Sequence, residues 1–454
     1  MSVFSNIWKI KELRTRILFT LGIIFICRVL SVVPIPGVDA GALLDFFRRA
    51  RESGGAQGLM GTFDLFSGGA LSQCAVGALT IWPYISASIV IQLMTSIVPA
   101  LERMAREGET GRQKLNQTTR YLTLALCLVQ SFSIAKVLAS GQSLFGVQIV
   151  AAPGAAFYVT TMLTVTAASM FTMWMGEQIT ERGVGNGASI IIMVNICSRL
   201  PVAIVQAAQK FIPAGGQPAE LNAIHLGVMV VIAFVVFAGT IAVTQALRRI
   251  PIHTARRSIG ASRVVGGTDS YIPLRVNFAG VMPIIFAGPI LRVLGFVFSR
   301  INIKGFGWLK SFGESLKDGR ADWSYLICFA VLIIFFSFFW VATQFHAVRM
   351  ADDLKSSNGY IPGIRPGLPT AEFLDLTMTR VTFIGALALV CIAISPAVLS
   401  SVIGIPPAIA DFFGGTSLLI IVGVGLDTLR QVESYLVMRN YEGFLKHGHI
   451  RGRR

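Results

Sequence analysis

Long apolar stretches separated by short polar segments recur along the whole chain. Ten of them approach or exceed the length that a helix needs to cross a bilayer, about 20 residues. They cover residues 17–33, 74–98, 121–139, 156–175, 187–208, 226–246, 278–298, 323–345, 381–402 and 412–438. Several contain Gly, Pro, Ser or Thr, which favours close helix packing or a cavity over lipid on all sides. The pattern predicts an all-α polytopic membrane protein with ten transmembrane helices.

The second apolar stretch follows a short, glycine-rich, half-polar segment with no proper loop between them. Residues 62–71 hold too few apolar side chains to cross a bilayer, whereas residues 74–98 hold enough. Irregular backbone is tolerated at membrane depth only inside protein or beside a watery cavity. Ile81 and Ile85, four residues apart, share one helical face. We interpret the segment as a lid and the following helix as the wall of a pore.

Lysine and arginine are divided unequally between alternate connecting segments. The set that includes both termini holds 25 of them and the opposite set holds 10, so the positive-inside rule places both termini in the cytoplasm. The Pro/Gly-rich segment 209–222 leaves five stretches on each side. Because five is odd, the halves run in opposite orientations, as in inverted repeats. We therefore predict two domains, residues 1–222 and 223–454.

A faint echo connects the two predicted halves. Pro83 follows Ile81 in the second stretch, and Pro283 precedes Ile284 and Ile285 in the seventh. Chance alone could supply this similarity. If the echo reflects a repeat, it places the working site between spans two and seven.

Composition limits where charge can lie. Of 454 residues, 54% are hydrophobic and 14% are charged, with a net charge of +16, so the charge belongs in loops and tails, facing lipid headgroups, the cytoplasm or nucleic acid. Arg28 and Lys136 lie toward span ends and can snorkel, while Asp427 and Arg430 are spaced to pair. No stretch has a central acidic residue. This disfavours the main alternative, an ion-coupled solute transporter, and suggests a narrow apolar seal.

Candidate catalytic chemistry is sparse. Asp352 and Asp353 form an acidic doublet with no second cluster to share a metal, and the six cysteines are scattered without metal or disulfide spacing. No phosphate-binding glycine loop ending in Lys-Ser/Thr is present. We therefore expect no metal, no cofactor and no enzymatic activity, with any energy supplied by a partner.

Two predicted cytoplasmic loops, residues 247–276 and 346–380, are long for a compact bundle. Each mixes Arg with Gly, Pro and alternating apolar residues, as protruding hairpins do. Their arginines suit docking to RNA phosphate or to an acidic protein face. The alternative is that they only set the topology.

Several strings match a known family in order along nearly the whole chain. They are VVPIPGVD (32–39), DLFSGGALS (64–72), PYISASIVIQL (83–93), EGETGRQK (107–114), MGEQITERGVGNGASI (175–190), PLRVNFAGVMP (273–283), GYIPGIRPG (359–367) and FGGTSLLIIV (413–422). The chain thereby resembles the SecY family, the channel subunits of the bacterial protein-conducting translocon. The resemblance implies a clamshell in the bacterial cytoplasmic (inner) membrane, hinged between spans five and six around a central pore. Such a channel passes unfolded secretory polypeptides and releases hydrophobic segments laterally between spans two and seven.

The resemblance also implies particular site residues. The pore ring corresponds to Ile81, Ile85, Ile192, Ile285 and Ile420, with Ala188 at a sixth position where the family usually has a larger apolar residue. The plug corresponds to about residues 60–72, and its central residues are Thr62, Phe63, Asp64, Leu65, Phe66, Ser67, Gly68, Gly69, Ala70 and Leu71. Ser86, Ser88, Gln92 and Gln130 are candidates for polar closures of the lateral gate, or for ordinary helix packing.

Arg263 and Arg365 match loop arginines through which the family meets the ribosome and the SecA motor. The further partners that the resemblance implies are the small membrane subunits SecE and SecG and polypeptides that carry signal peptides. The basic loops add anionic lipids as expected contacts.

Overall fold

The computed structural model describes residues 10–39, 41, 67–139, 150, 154–202, 204–205, 223–254, 257–258, 264–265, 270–300, 307–318, 323–403 and 415–447. Each of the ten predicted stretches contains a helix. Two compact units are present, one formed by Met1–Pro201 with Val424–Arg454 and the other by Val202–Gly423. The predicted boundary at residues 209–222 lies outside the described residues, so the division into two inverted halves stays a prediction.

The first unit is built from six helices and part of a seventh. They are α1 (Lys11–Leu30), α2 (Trp82–Ile97), α3 (Pro99–Arg106), α4 (Glu109–Ala139), α5 (Ala155–Arg182) and α6 (Gly187–Cys197). The chain bends by 101° between α2 and α3, where Pro99 cannot continue the hydrogen-bond ladder of α2. At the start of α6 the side chain of Asn186 accepts a hydrogen bond from the Ser189 amide, a helix cap.

Within the described residues, the second unit holds the remaining helices and five strands. Its helices are α7 (Ala223–Gln245), α8 (Met282–Arg300), α9 (Gly307–Asp318), α10 (Trp323–Gln344), α11 (Ala347–Ser356), α12 (Leu368–Ile403) and the start of α13 (Gly415–His447). Its apolar core includes Leu291, Leu316, Ile333, Leu389 and Leu419. Helix α9 lies against the end of α8, since a Cβ on Gly313 would come within 2.5 Å of the Ser299 nitrogen.

The two long loops predicted to be cytoplasmic meet in one sheet. Strand β1 (Leu247–Thr254) pairs with β4 (Ser270–Arg275) in the antiparallel hairpin that the sequence predicts, and the strands β2 (Arg257–Ser258) and β3 (Val264–Val265) pair between them. The prediction of a second hairpin in residues 346–380 is wrong. That loop instead forms α11 and a short strand, β5 (Gly359–Tyr360), which joins the other edge of β1.

Within the described residues, seven helices are long and apolar enough to cross a membrane, or eight if the bent pair of α2 and α3 is one span. The predicted second span begins late, because α2 starts at Trp82 rather than near residue 74. Pro83 and Pro283 each occupy the second position of their helix, where a missing amide hydrogen costs no intrahelical bond. The two prolines thus have equivalent local positions.

An ion pair joins α4 to α5. Arg120 donates from Nε and Nη2 to the two carboxylate oxygens of Glu177, at 3.0 and 2.7 Å. We expect Arg120→Met to lower the free energy of unfolding by about 1 kcal/mol, because a bidentate pair that is partly exposed contributes about that much. Thermal unfolding of the purified protein in detergent measures the change.

The control is Lys114→Met, which removes a pair with Glu107 at 3.3 Å whose two side chains are both about half exposed. This change should leave the unfolding temperature unaltered. Exchanging the charges of Arg120 and Glu177 in one double variant should restore most of the loss. Equal effects of the two Met variants would contradict a stabilising role for the Arg120 pair.

Candidate functional site

An irregular segment precedes α2 and occupies residues 67–81. It ends later in the chain than the predicted lid, since turns continue to Ile81. Gly68, Gly69, Cys74 and Thr80 all have positive φ angles, from 44° to 95°. A β-branched residue such as Thr80 rarely adopts this conformation, so neighbouring contacts must hold it. The predicted plug residues Thr62 to Phe66 lie outside the described residues.

We call residues 74–77 of this segment the base. The Ile35 amide donates to the Cys74 carbonyl at 2.8 Å, and the Val76 amide donates to the Val33 carbonyl at the same distance. The Gly77 amide reaches the Leu30 carbonyl at 3.1 Å. Ile35 and Cys74 also belong to an apolar cluster. Backbone bonds and apolar packing therefore fix the base to the chain that follows α1.

We call residues 67–72 of the segment the tip. Polar side chains surround the tip. Arg28 donates to the Asn195 side-chain oxygen at 3.3 Å and to the Gly68 carbonyl at 3.5 Å. The Ser198 hydroxyl donates to the Asn195 backbone carbonyl at 2.7 Å and lies 3.4 Å from the Gly68 carbonyl. Arg28 lies near the end of α1, as expected. Its guanidinium group, however, is held by protein groups and is not simply directed to solvent.

A second arginine contacts the other end of the tip. Arg199 donates to the Ser72 hydroxyl at 3.2 Å, and that hydroxyl donates to the Gly69 carbonyl at 3.0 Å. The backbone of the tip lies close to both arginines. A Cβ on Gly68 would come within 2.6 Å of Arg28 Nη1, and a Cβ on Gly69 within 3.1 Å of the Arg199 guanidinium. Glycine at both positions permits this approach.

Two predicted pore-ring residues lie at the start of α2. Ile81 is the residue before the helix and is 1% exposed, and Ile85 is one turn further on and is also buried. The Ile81 side chain packs on α5 where Gly176 leaves room, because a Cβ there would lie 3.0 Å from Ile81 Cδ1. The Ile81 side chain is thus placed by the close approach of α5 at Gly176.

The predicted positions Ala188 and Ile192 lie one turn apart on α6, and both are half-buried. A Cβ on Gly187 would collide with the Gly176 carbonyl, so α5 and α6 cross in direct backbone contact. Ile191 reaches the same crossing from α6, 3.5 Å from the position of a Gly176 Cβ. The structure therefore brings Ile81 and the start of α6 together around Gly176.

The remaining ring positions, Ile285 and Ile420, lie in the second unit and are both buried. The apolar core of that unit includes their neighbours Ile284 and Leu419 but neither of them. Their assignment to the ring stays a prediction.

The candidate gate residues are only partly buried. Ser86 and Ser88 are half-buried on α2 and Gln92 is exposed there, whereas Gln130 lies on α4. The buried side-chain oxygen of Gln130 has no hydrogen-bond partner within the described part of the chain. An unsatisfied oxygen of this kind is costly unless a further group or water reaches it.

Arg365 is exposed on a tightly held loop. Ile361 is buried below it, the Ile361 carbonyl accepts from the Ile364 amide, and the Arg365 carbonyl accepts from the Thr370 hydroxyl at 2.8 Å. The other candidate docking arginine, Arg263, lies outside the described residues. The nearby sheet surface is also basic, with Arg249 stacked over the ring of Tyr271 at 5.0 Å.

Sequence reasoning did not find the polar contacts around the tip or the pair between Arg120 and Glu177. A signal for the first existed, because an arginine inside an apolar stretch usually has a specific partner. Within the described residues, no group of three or more His, Cys, Asp or Glu could hold a metal ion.

Comparison with known proteins gives consistent results along the whole chain. The sequence profile of the SecY family matches residues 75–429. A relative named protein translocase subunit SecY from Streptomyces galbus is 41% identical, covering 98% of this chain and 100% of its own. The protein of the same name from Thermotoga maritima is 40% identical, covering 99% of each chain.

Solved structures share the fold at low sequence identity. One, described as the structure of a protein conducting channel, has a TM-score of 0.60 at 14% identity and covers 93% of this chain and 92% of its own. Another is Sec61 in the canine ribosome-channel complex from the endoplasmic reticulum, with a TM-score of 0.59 at 13% identity and the same coverage.

Proposed function

The chain belongs to the SecY family of protein translocase subunits. From this premise we propose how its residues let polypeptides cross the membrane. It is a multi-pass membrane protein and a protein-conducting channel. Unfolded secretory polypeptides cross the membrane through it, and hydrophobic segments leave it laterally for the bilayer. A crossing chain exposes peptide groups that cost several kcal/mol each in hydrocarbon, so it needs a watery passage.

The observation that carries this proposal is the irregular segment 67–81. Its backbone bends through four residues with positive φ, and its groups bond to the chain after α1 and to side chains around α6. Irregular backbone next to transmembrane helices is stable only when it is buried in protein or lines an aqueous cavity. A plug in a channel is buried in protein when the channel is closed and borders the aqueous passage when the channel is open.

In this proposal the isoleucine ring supplies the seal. Ile81, Ile85, Ile192, Ile285 and Ile420, with Ala188, form a narrow apolar constriction that loses its water when empty and fits around an extended chain when occupied. The ring needs no fixed charge to hold back ions. Residues 60–72 act as a plug above it.

Lateral release follows from partitioning. A segment of about 20 residues at about −0.3 to −0.6 kcal/mol each favours lipid by about 6–12 kcal/mol. A polar segment gains nothing there and continues through the pore. The lateral gate lies between spans two and seven, and Ser86, Ser88, Gln92 and Gln130 close it.

The partners follow from the family and from the charge. SecE and SecG accompany the channel, and the ribosome and the SecA motor dock on the loops that carry Arg263 and Arg365. The chain itself has no catalytic role, so its partners supply the driving force. The protein lies in the bacterial inner membrane with both termini in the cytoplasm, contacts anionic lipids, and consists of two inverted halves, residues 1–222 and 223–454.

Reconstitution of the purified translocase complex in proteoliposomes tests the function. A polypeptide with a signal peptide should become protected from added protease when the motor and ATP are present, and the same polypeptide without the signal peptide should not. Transport of a small solute driven by an ion gradient, without polypeptide protection, would instead support a transporter.

A further inference from the structure

We propose that Arg28 and Arg199 are the positioning residues of a latch that keeps the plug closed, acting on the Gly68 carbonyl and the Ser72 hydroxyl. We call the set Arg28, Asn195, Ser198 and Arg199 the latch. The inference rests on the proposed function, since it assigns to these residues the closed state of that channel. The latch names the contacts that break when the plug opens.

The base and the tip of the irregular segment are held by different kinds of contact. Backbone hydrogen bonds from Ile35, Val76 and Gly77 and the apolar cluster around Cys74 hold the base. The tip receives side-chain donors from α1 and from the end of α6. A rotation of the tip about the base breaks the latch contacts and the bond from the Ala75 amide to the Ala70 carbonyl at 2.8 Å, and it leaves intact the bonds that join the base to residues 30–35.

The geometry of the tip fits a latch. Gly68 and Gly69, with φ angles of 63° and 95°, bring their carbonyls within reach of the donors. Any side chain at Gly68 would displace Arg28 Nη1, the Asn195 carbonyl and the Ser198 hydroxyl, all of which lie within 2.9 Å of its Cβ position. The backbone of the tip therefore approaches the two guanidinium groups closely, and a side chain at Gly68 would not fit beside them.

The chemistry of the contacts makes the latch reversible. The acceptors described for the two arginines are a neutral carbonyl, an amide oxygen and a hydroxyl. Hydrogen bonds from a charged donor are stronger than neutral ones, and water in an open passage can replace these three acceptors. An arriving polypeptide therefore displaces the tip at moderate energy.

Arg28→Met and Arg199→Met, each made in the full translocase complex, test the latch in proteoliposomes. Each should raise the resting ion conductance about tenfold, the factor expected for losing one charge-assisted hydrogen bond of the closed state. Polypeptide transport at saturating substrate should be retained or rise, because the latch acts before transport. Arg16→Met is the matched control: it removes a charge from the same helix, where Arg16 contacts Gly183 and Tyr435, and should leave both readings unchanged.

A double-variant cycle separates a latch from general damage. Ser72→Ala should raise the conductance, and combining it with Arg199→Met should give less than the sum of the two effects, because both changes remove the contact between Arg199 and that hydroxyl. Additive effects, or a leak accompanied by lost transport and a lower unfolding temperature, would overturn the latch. Unchanged conductance in both Met variants of a complex whose wild type transports polypeptide would overturn the latch alone. A wild-type complex that transports no polypeptide would overturn the proposed function as well.

Discussion

Replacing Ile81, Ile85 and Ile192 together with serine is expected to raise the ion conductance of resting proteoliposomes about a hundredfold. The apolar constriction excludes ions because it holds no water, and hydroxyl groups would let water persist in it. If each replacement lowers the cost of hydration by about 1 kcal/mol, the combined change corresponds to slightly more than two decades. Planar-bilayer recording or ion-flux measurement on reconstituted complexes gives the conductance directly.

Two controls separate the seal from the stability of the bundle. Ile81→Leu with Ile85→Leu and Ile192→Leu keeps the apolar volume and should remain tight. Serine at Val90, Met94 and Ile97, which are exposed on the same helix α2, removes three apolar side chains away from the ring and should not leak. A resting conductance equal to wild type in the triple serine variant of the ring would contradict the ring assignment.

Arg365→Glu is expected to weaken docking of the ribosome or the motor about a hundredfold, since reversing a charge at a docked position leaves a partner charge opposed. The backbone around Arg365 is held by Ile361 and Thr370, so the variant should fold and insert normally. Cosedimentation with ribosomes and motor binding to proteoliposomes, each over a range of salt concentrations, measure the effect.

Lys355→Glu is the matched control for this change. It makes the same charge reversal on the exposed surface of α11, in the same loop, residues 346–380. A general loss of positive charge would weaken binding equally in both variants, and this result would contradict a specific role for Arg365. Wild-type affinity of Arg365→Glu for both partners would remove the docking role altogether.

The sequence was informative wherever a local pattern decides the structure. Each of the ten predicted apolar stretches contains a helix, and alternation in residues 247–276 predicts the hairpin of β1 and β4. The pair formed by Asp427 and Arg430, at 3.8 Å, is confirmed because a spacing of three brings side chains together on any helix. In each case the residues involved belong to one helix or to one hairpin.

The errors concern contacts between distant parts of the chain. The late start of α2 depends on backbone bonds from residues 74–77 to the chain after α1, and β5 forms because β1 offers it an edge. The contacts of Arg28 with Asn195 and Gly68 span up to 167 positions, so no local pattern indicates them.

By itself, the sequence determined that this protein has ten apolar stretches, crosses the membrane several times and concentrates its basic residues on alternate connecting segments, and its motifs indicated the family. Hydrophobic length and charge asymmetry are sufficient for this, because the bilayer acts on each segment separately. Only the tertiary structure decided where the irregular segment ends, which groups hold its tip, and that Ile81 and α6 meet at Gly176. These features depend on backbone groups and side chains that must satisfy one another across the fold, and such pairings exist only once the helices have packed.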